Sequence, residues 1–318
     1  MENFSRFYLN HKKPIVIFTQ LLILVIIFWF LAGRISDGLQ QATDVLQKLH
    51  WQLFVATGLF TGAVVVSGVL WGGLVNSLGS HKPINASEAV RVHSLAWLFK
   101  YFPGQGGGVI SKVLWGKKNG IERKAVLTSV LYENIFLASS SIILSVPFLG
   151  FTIMTEISGK GSLLIPLLFA ISVFPLLVPQ VFSRVLAVGL KIIGRQPPTS
   201  ELSLSGKKVL KNQILFLIPR IINGLGFVLI ASIFITPNLF DTIQLSGAYI
   251  LGGIIGILAF FVPSGIGIRE AVIVIGAGSV LGTDFAIAAA IIARVCATLG
   301  DVLVALIYGI LKGINGRN

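Results

Sequence analysis

A few ionisable side chains in this sequence sit where charge is hard to keep, inside otherwise apolar stretches. Arg269 and Glu270 lie in "FFVPSGIGIREAVIV", residues 260–274. Arg294 lies in "AAAIIARV", Asp301 follows it seven residues later, and Glu133 lies in "SVLYENIF". Arginine presents a planar fork of donors that grips two oxygens of a phosphate or carboxylate at once. Pro263, Gly265 and Gly267 come just before Arg269. That spacing predicts a chain reversal and then a new helix whose first N–H groups are unsatisfied and carry partial positive charge. An arginine in that first turn makes a phosphate site. Glu270 is expected to fix the turn, since adjacent helical residues point about 100° apart and do not face each other. Arg294 and Asp301, two helical turns apart on one face, are expected to join the site, with Glu133 as a resting partner for one of the arginines.

What must position these residues is a membrane domain. The chain has 318 residues, of which 54% are hydrophobic and 12% charged, about half the charge density of soluble domains. Six runs are long enough to cross a bilayer: 15–33, 51–75, 125–150, 162–182, 213–236 and 285–311. The first is longer than the apolar core of a signal peptide and reads as an anchor. Lys and Arg alternate between the segments. Three precede the first run, eight fall in 76–124, six in 183–212 and two at the C-terminus, against three in the alternate segments. By the positive-inside rule both termini and the two basic loops face the cytoplasm. The net charge of +13 is therefore mostly a topology signal, and no nucleic-acid partner is expected. With one cysteine and no HxxxH or HExxH pair, no disulfide, metal site or cofactor is expected.

Two regions break the pattern of six. Residues 88–116, "EAVRVHSLAWLFKYFPGQGGGVISKVLWG", have cytoplasmic flanks and two arms shorter than a span. Residues 245–281 have outer flanks, and their second arm, 268–281, is too short to cross. Both are expected to be re-entrant hairpins. Each turns at a proline with a glycine four residues on, Pro103 and Gly107 in one, Pro263 and Gly267 in the other. Opposed hairpins in two halves, 1–160 and 161–318, predict an inverted pseudo-repeat with a binding site where the tips meet. His93 and Lys100 are expected to line a cytoplasmic entrance. Arg220, beside Pro219, is expected to snorkel to the cytoplasmic surface.

At these motifs the chain resembles the transmembrane region of the lysylphosphatidylglycerol synthase family. The resemblance rests on the turn at 103–107 with the following "KVLWGKKNGIERKAV", on Glu133, and on "PSGIGIREA" with Arg294 in the next helix. It covers nearly the whole chain. Asn134 stands where the family often has arginine. The resemblance implies the membrane half's role, lipid translocation, without the soluble aminoacyl-transfer domain of the fused members.

The expectation is thus an all-α polytopic protein of the cytoplasmic (inner) membrane, a single domain over 1–318 with six spans and two opposed re-entrant hairpins. It would flip an anionic phospholipid or polyprenyl-phosphate-type lipid and not act as an enzyme. The alternatives are a secondary transporter of a small anion and a membrane component of polyprenyl-phosphate glycan-lipid synthesis. Partners are membrane lipids, with a homo-oligomer or a partner membrane enzyme left open. With Cys296 replaced, single cysteines at Ser80, Ser158, Ser205 and Asn238 test the topology. An impermeant maleimide should label only positions 158 and 238 from outside, and labelling of position 205 in intact cells would sink it.

Overall fold

The structure, a computed structural model, describes residues 39–78, 83–101, 107–156, 204–258 and 267–315. The expected spans at 15–33 and 162–182, and Pro103, Pro263 and Gly265, lie outside the described residues. The described residues are helical throughout, joined by turns. The elements are α1 Trp51–Ser77, α2 Ala86–Leu98, a 3-10 turn Phe99–Tyr101, α3 Gly107–Lys118, α4 Arg123–Glu156, α5 Gly206–Leu215, α6 Leu217–Ala231, α7 Leu239–Leu258, α8 Ile268–Leu281 and α9 Thr283–Asn315. Residues 39–47 are also helical.

Five stretches are long and apolar enough to cross a membrane: Trp51–Ser77, Arg123–Val146, Gly206–Ala231, Leu239–Gly256 and Thr283–Ile314. Four coincide with expected spans. The fifth, α7, was expected as the first arm of a hairpin beginning at 245. Its helix starts at Leu239 and runs 20 residues, which is span length. Only the second arm, α8, is short, at 14 residues. The outer faces suit lipid: Phe54, Ile221, Leu225, Ile275, Leu306 and Ile310 are all exposed. This is a multi-pass membrane protein.

The core gathers α1, α6, α7, α8 and α9. Phe60, Phe227, Leu245, Tyr249, Ile273 and Ile292 pack there with a run of buried alanines, Ala286 and Ala288 to Ala290, on α9. Small residues let helix backbones approach where lipid tails offer no hydrophobic drive of their own. Polar groups bind helices as well. Gln213 of α5 accepts from Ser139 (2.7 Å) and donates to Ser140 (3.1 Å), both on α4.

The first hairpin has the two short arms expected, α2 of 13 residues and α3 of 12. Asn85 caps α2 by accepting from the Glu88 N–H at 2.8 Å, as its side chain favours. Three carboxylates fasten the hairpin. Glu88 on α2 accepts from the Trp115 indole on α3 at 2.6 Å and pairs with Arg91. Glu133 on α4 takes Lys112 of α3 at 2.6 Å and His93 Nδ1 of α2 at 3.0 Å. Asp301 on α9 accepts from the Trp97 indole at 2.7 Å and from the Tyr101 hydroxyl, and pairs with Lys100 at 2.7 Å. Lys112 also lies over the Trp71 ring at 4.4 Å.

Glu133, Lys112 and His93 are all buried. Removing one partner of such a group strands the others, at about 3–5 kcal/mol. Glu133→Leu should therefore lower the thermal unfolding midpoint in detergent sharply. Glu133→Leu combined with Lys112→Met should recover most of the loss. A double variant no more stable than the single one would show that the ion pair is not what fastens the hairpin.

Candidate functional site

The site is built on the start of α8. Gly267 caps that helix with φ 85° and ψ −49°, a conformation in which a Cβ is strained and glycine is not. Glu270 closes the first turn by accepting from the Gly267 N–H at 2.7 Å. Its other oxygen lies 3.5 Å from Arg294 Nη1 on α9. Glu270 thus holds both the turn and one arginine, while Arg269 points elsewhere, as adjacent helical residues do.

Arg269 lies over the Tyr249 ring of α7, its guanidinium carbon 4.6 Å from the centroid. Tyr249 itself stacks with Phe60 at 5.4 Å and with Phe227 at 5.0 Å. A cation set on a fixed aromatic face has few conformations to lose on binding. The backbones of α7 and α8 meet here. A Cβ on Gly252 would sit 2.9 Å from the Arg269 carbonyl oxygen, so only glycine allows the approach.

The tip of the first hairpin reaches the same place. Burial brings the Lys100 ammonium down to about 8, with Asp301 opposing the fall and the charges of Arg269 and Arg294 adding to it. Burial, and then the hydrogen bond to Asp301, push the Tyr101 hydroxyl up to about 12. Lys100 also lies 4.1 Å from the centre of the Trp97 ring. Cations from α8, α9 and the hairpin therefore converge, with Glu270 and Asp301 among them.

This combination of helices long enough to cross a membrane and a glycine cap leading into an arginine-bearing short helix can be set against known families. A model of the lysylphosphatidylglycerol synthase TM region matches residues 17–305. The chain belongs to that family. A comparison with curated proteins gives no match.

Within this lysylphosphatidylglycerol synthase TM region the expected residues fall into two groups. Arg269, Glu270, Gly267, Arg294 and Asp301 come together. Asp301 meets the hairpin tip and not Arg294, because its face of α9 packs against α2. Glu133 stands apart. It was expected to rest against Arg269 or Arg294, and its carboxylate is taken by Lys112 and His93 instead. Asn134, next to it, is exposed and donates to the Val130 carbonyl of its own helix at 2.8 Å. The cation that serves Glu133 comes from another helix, as Lys112. Gly107 opens α3 as Gly267 opens the way into α8, and a Cβ on it would meet the Phe99 ring at 2.6 Å.

Arg220 departs from expectation. Its Nε donates to the Leu137 carbonyl of α4 at 3.3 Å, and α6, which carries it, packs against α7, as α8 does. It points into the bundle and does not snorkel. Tyr249, Trp97 and Tyr101 were not anticipated. An aromatic residue in an apolar run carries no mark of a polar role, although "WLFKY" holds two indole or phenol groups beside a lysine.

Replacing Gly267 with alanine should cost roughly 1–3 kcal/mol, the range for forcing such a backbone conformation. Thermal unfolding of the purified variant measures it. An unchanged midpoint would mean that the cap is not under this constraint.

Proposed function

We propose that this protein moves an anionic lipid across the cytoplasmic (inner) membrane by passing its phosphate headgroup between the α8 turn and the first hairpin. The observation that carries the reading is Arg269. It sits at the positive end of a half-length helix, 4.6 Å from the centre of the Tyr249 ring, and among the described residues no carboxylate pairs with it. Charges inside a membrane are costly and mark pathways or ligands. A lipid phosphate would supply the missing counter-charge, with the helix N–H groups adding donors. Arg294, held at 3.5 Å by Glu270, is placed to exchange that carboxylate for the phosphate.

In this reading the chain has six spans and two re-entrant hairpins, the second made of the long α7 and the short α8, and both termini face the cytoplasm. The first turn of α7, with Asp241 and the exposed Leu239 and Phe240, lies at the outer surface. The two halves act as opposed gates. The exposed apolar faces of α6 and α9 keep the acyl tails in the bilayer while the headgroup crosses. The work is translocation and not catalysis, because the acids near the arginines are committed to holding structure.

Arg→Lys keeps the charge and loses the two-oxygen grip. A charge-assisted hydrogen bond contributes about 1.5–3 kcal/mol. Arg269→Lys and Arg294→Lys should therefore slow translocation about tenfold or more while leaving a folded protein. The assay follows a fluorescent anionic lipid in reconstituted liposomes as it becomes accessible to an external quencher. Wild-type rates in both variants would place the lipid path elsewhere.

A further inference from the structure

Among the described residues, the charges around the start of α8 do not cancel. Arg294 is matched by Glu270 at 3.5 Å and Lys100 by Asp301 at 2.7 Å. Arg269 and Arg220 are matched by no carboxylate among the described residues. Residues 102–106 and 259–266, which precede α3 and α8, contain no Asp or Glu. Arg220 makes one hydrogen bond, from Nε to the Leu137 carbonyl, and its terminal nitrogens have no partner among the described residues.

The two arginines are neighbours through α7, which packs against both α6 and α8. One turn after Arg220, Gly224 brings α6 so close to α7 that a Cβ there would meet the Ser246 side chain at 2.9 Å. One turn after Ser246, Tyr249 holds Arg269. Like charges pressed together inside a membrane protein are unfavourable unless an anion joins them.

We propose that Arg220 and Arg269 together form a site for a doubly charged phosphate, a monoester or diphosphate, in preference to the singly charged phosphodiester of common phospholipids. This rests on the lipid-phosphate reading above and narrows its substrate class. Two unmatched positive charges are neutralised by a phosphate monoester, which carries about −1.5 to −2 near neutral pH, and only half neutralised by a diester. The monoester also offers three terminal oxygens, enough for one guanidinium fork and a second arginine at once.

The test is displacement of a fluorescent phosphatidylglycerol from the purified protein in detergent at pH 7.5. The competitors are dioleoyl phosphatidic acid, dioleoyl phosphatidylglycerol and inorganic phosphate. Phosphatidic acid should displace at a concentration roughly tenfold lower than phosphatidylglycerol, the effect of about one further charge-assisted contact. Arg220→Gln should bring the two lipids within about twofold of each other. Arg220→Lys, which keeps the charge, should retain most of the preference and serves if the glutamine variant does not fold. Displacement by inorganic phosphate and not by phosphatidic acid would keep the dianion site and make its ligand soluble. Equal displacement by both lipids in the wild type, or an unchanged preference in Arg220→Gln, overturns this inference and leaves the lipid reading standing. Failure of the protein to bind either lipid overturns both.

Discussion

The arrangement depends on one buried carboxylate. Glu133 takes Lys112 at 2.6 Å and His93 at 3.0 Å, and so joins both arms of the first hairpin to α4. Burial pushes His93 below its ordinary range, and the neighbouring Lys112 charge adds to the effect. Burial thus favours the neutral ring, whose Nδ1 lies 3.0 Å from Glu133 and 3.3 Å from Lys112 Nζ. With that form the cluster is one anion, one cation and one neutral ring. That is a charge balance the interior can hold, provided all three stay together. If Glu133 did not hold the arms, Lys100, Trp97 and Tyr101 would not be presented to Asp301, and the hairpin tip would not face Arg294 and Arg269.

The two carboxylates that hold the hairpin from neighbouring helices differ in kind. Glu133 is sealed on every side and fixes position. Asp301 binds groups on a turn that is partly open, with Lys100 28% exposed at its side chain, and its cluster borders the arginines. On the proposed lipid path, a phosphate beside Arg294 would compete with Glu270 for that guanidinium and repel Asp301. Ligand binding would then bear directly on how tightly the tip is held, while the arms remain anchored at Glu133. A fixed hinge and a labile tip suit a gate.

Much of this was legible in the sequence. The apolar runs at 51–75, 125–150, 213–236 and 285–311 became helices because their length and hydrophobicity leave no other way to satisfy the backbone in lipid. The short arms around Pro103 and after Pro263, the glycine at 267 and the grouping of Arg269, Glu270 and Arg294 followed from turn chemistry and helix geometry. The partners did not. Glu133 and Lys112 are 21 residues apart, and Trp97 and Asp301 are 204 apart. Such pairings depend on how helices rotate against each other, which hydrophobicity does not encode. The length of α7 was missed for a related reason. Its first residues, Leu239 to Gln244, include Asp241 and read as a boundary, yet they continue the helix because Asn238 and Asp241 exchange hydrogen bonds at its N-terminus.

One more property follows from the length of α9. Its apolar stretch, Thr283–Ile314, runs 32 residues, about 48 Å of helix at 1.5 Å per residue. The hydrocarbon layer is about 30 Å thick. Upright, the helix would carry roughly 18 Å of apolar surface into the headgroups or beyond, so it must lie oblique or draw the bilayer up around it. Either response sets the angle at which Arg294 and Asp301 meet the rest of the bundle. Bilayer thickness thereby becomes a mechanical input, and thinner or thicker membranes would load the same helix differently with no change in its sequence.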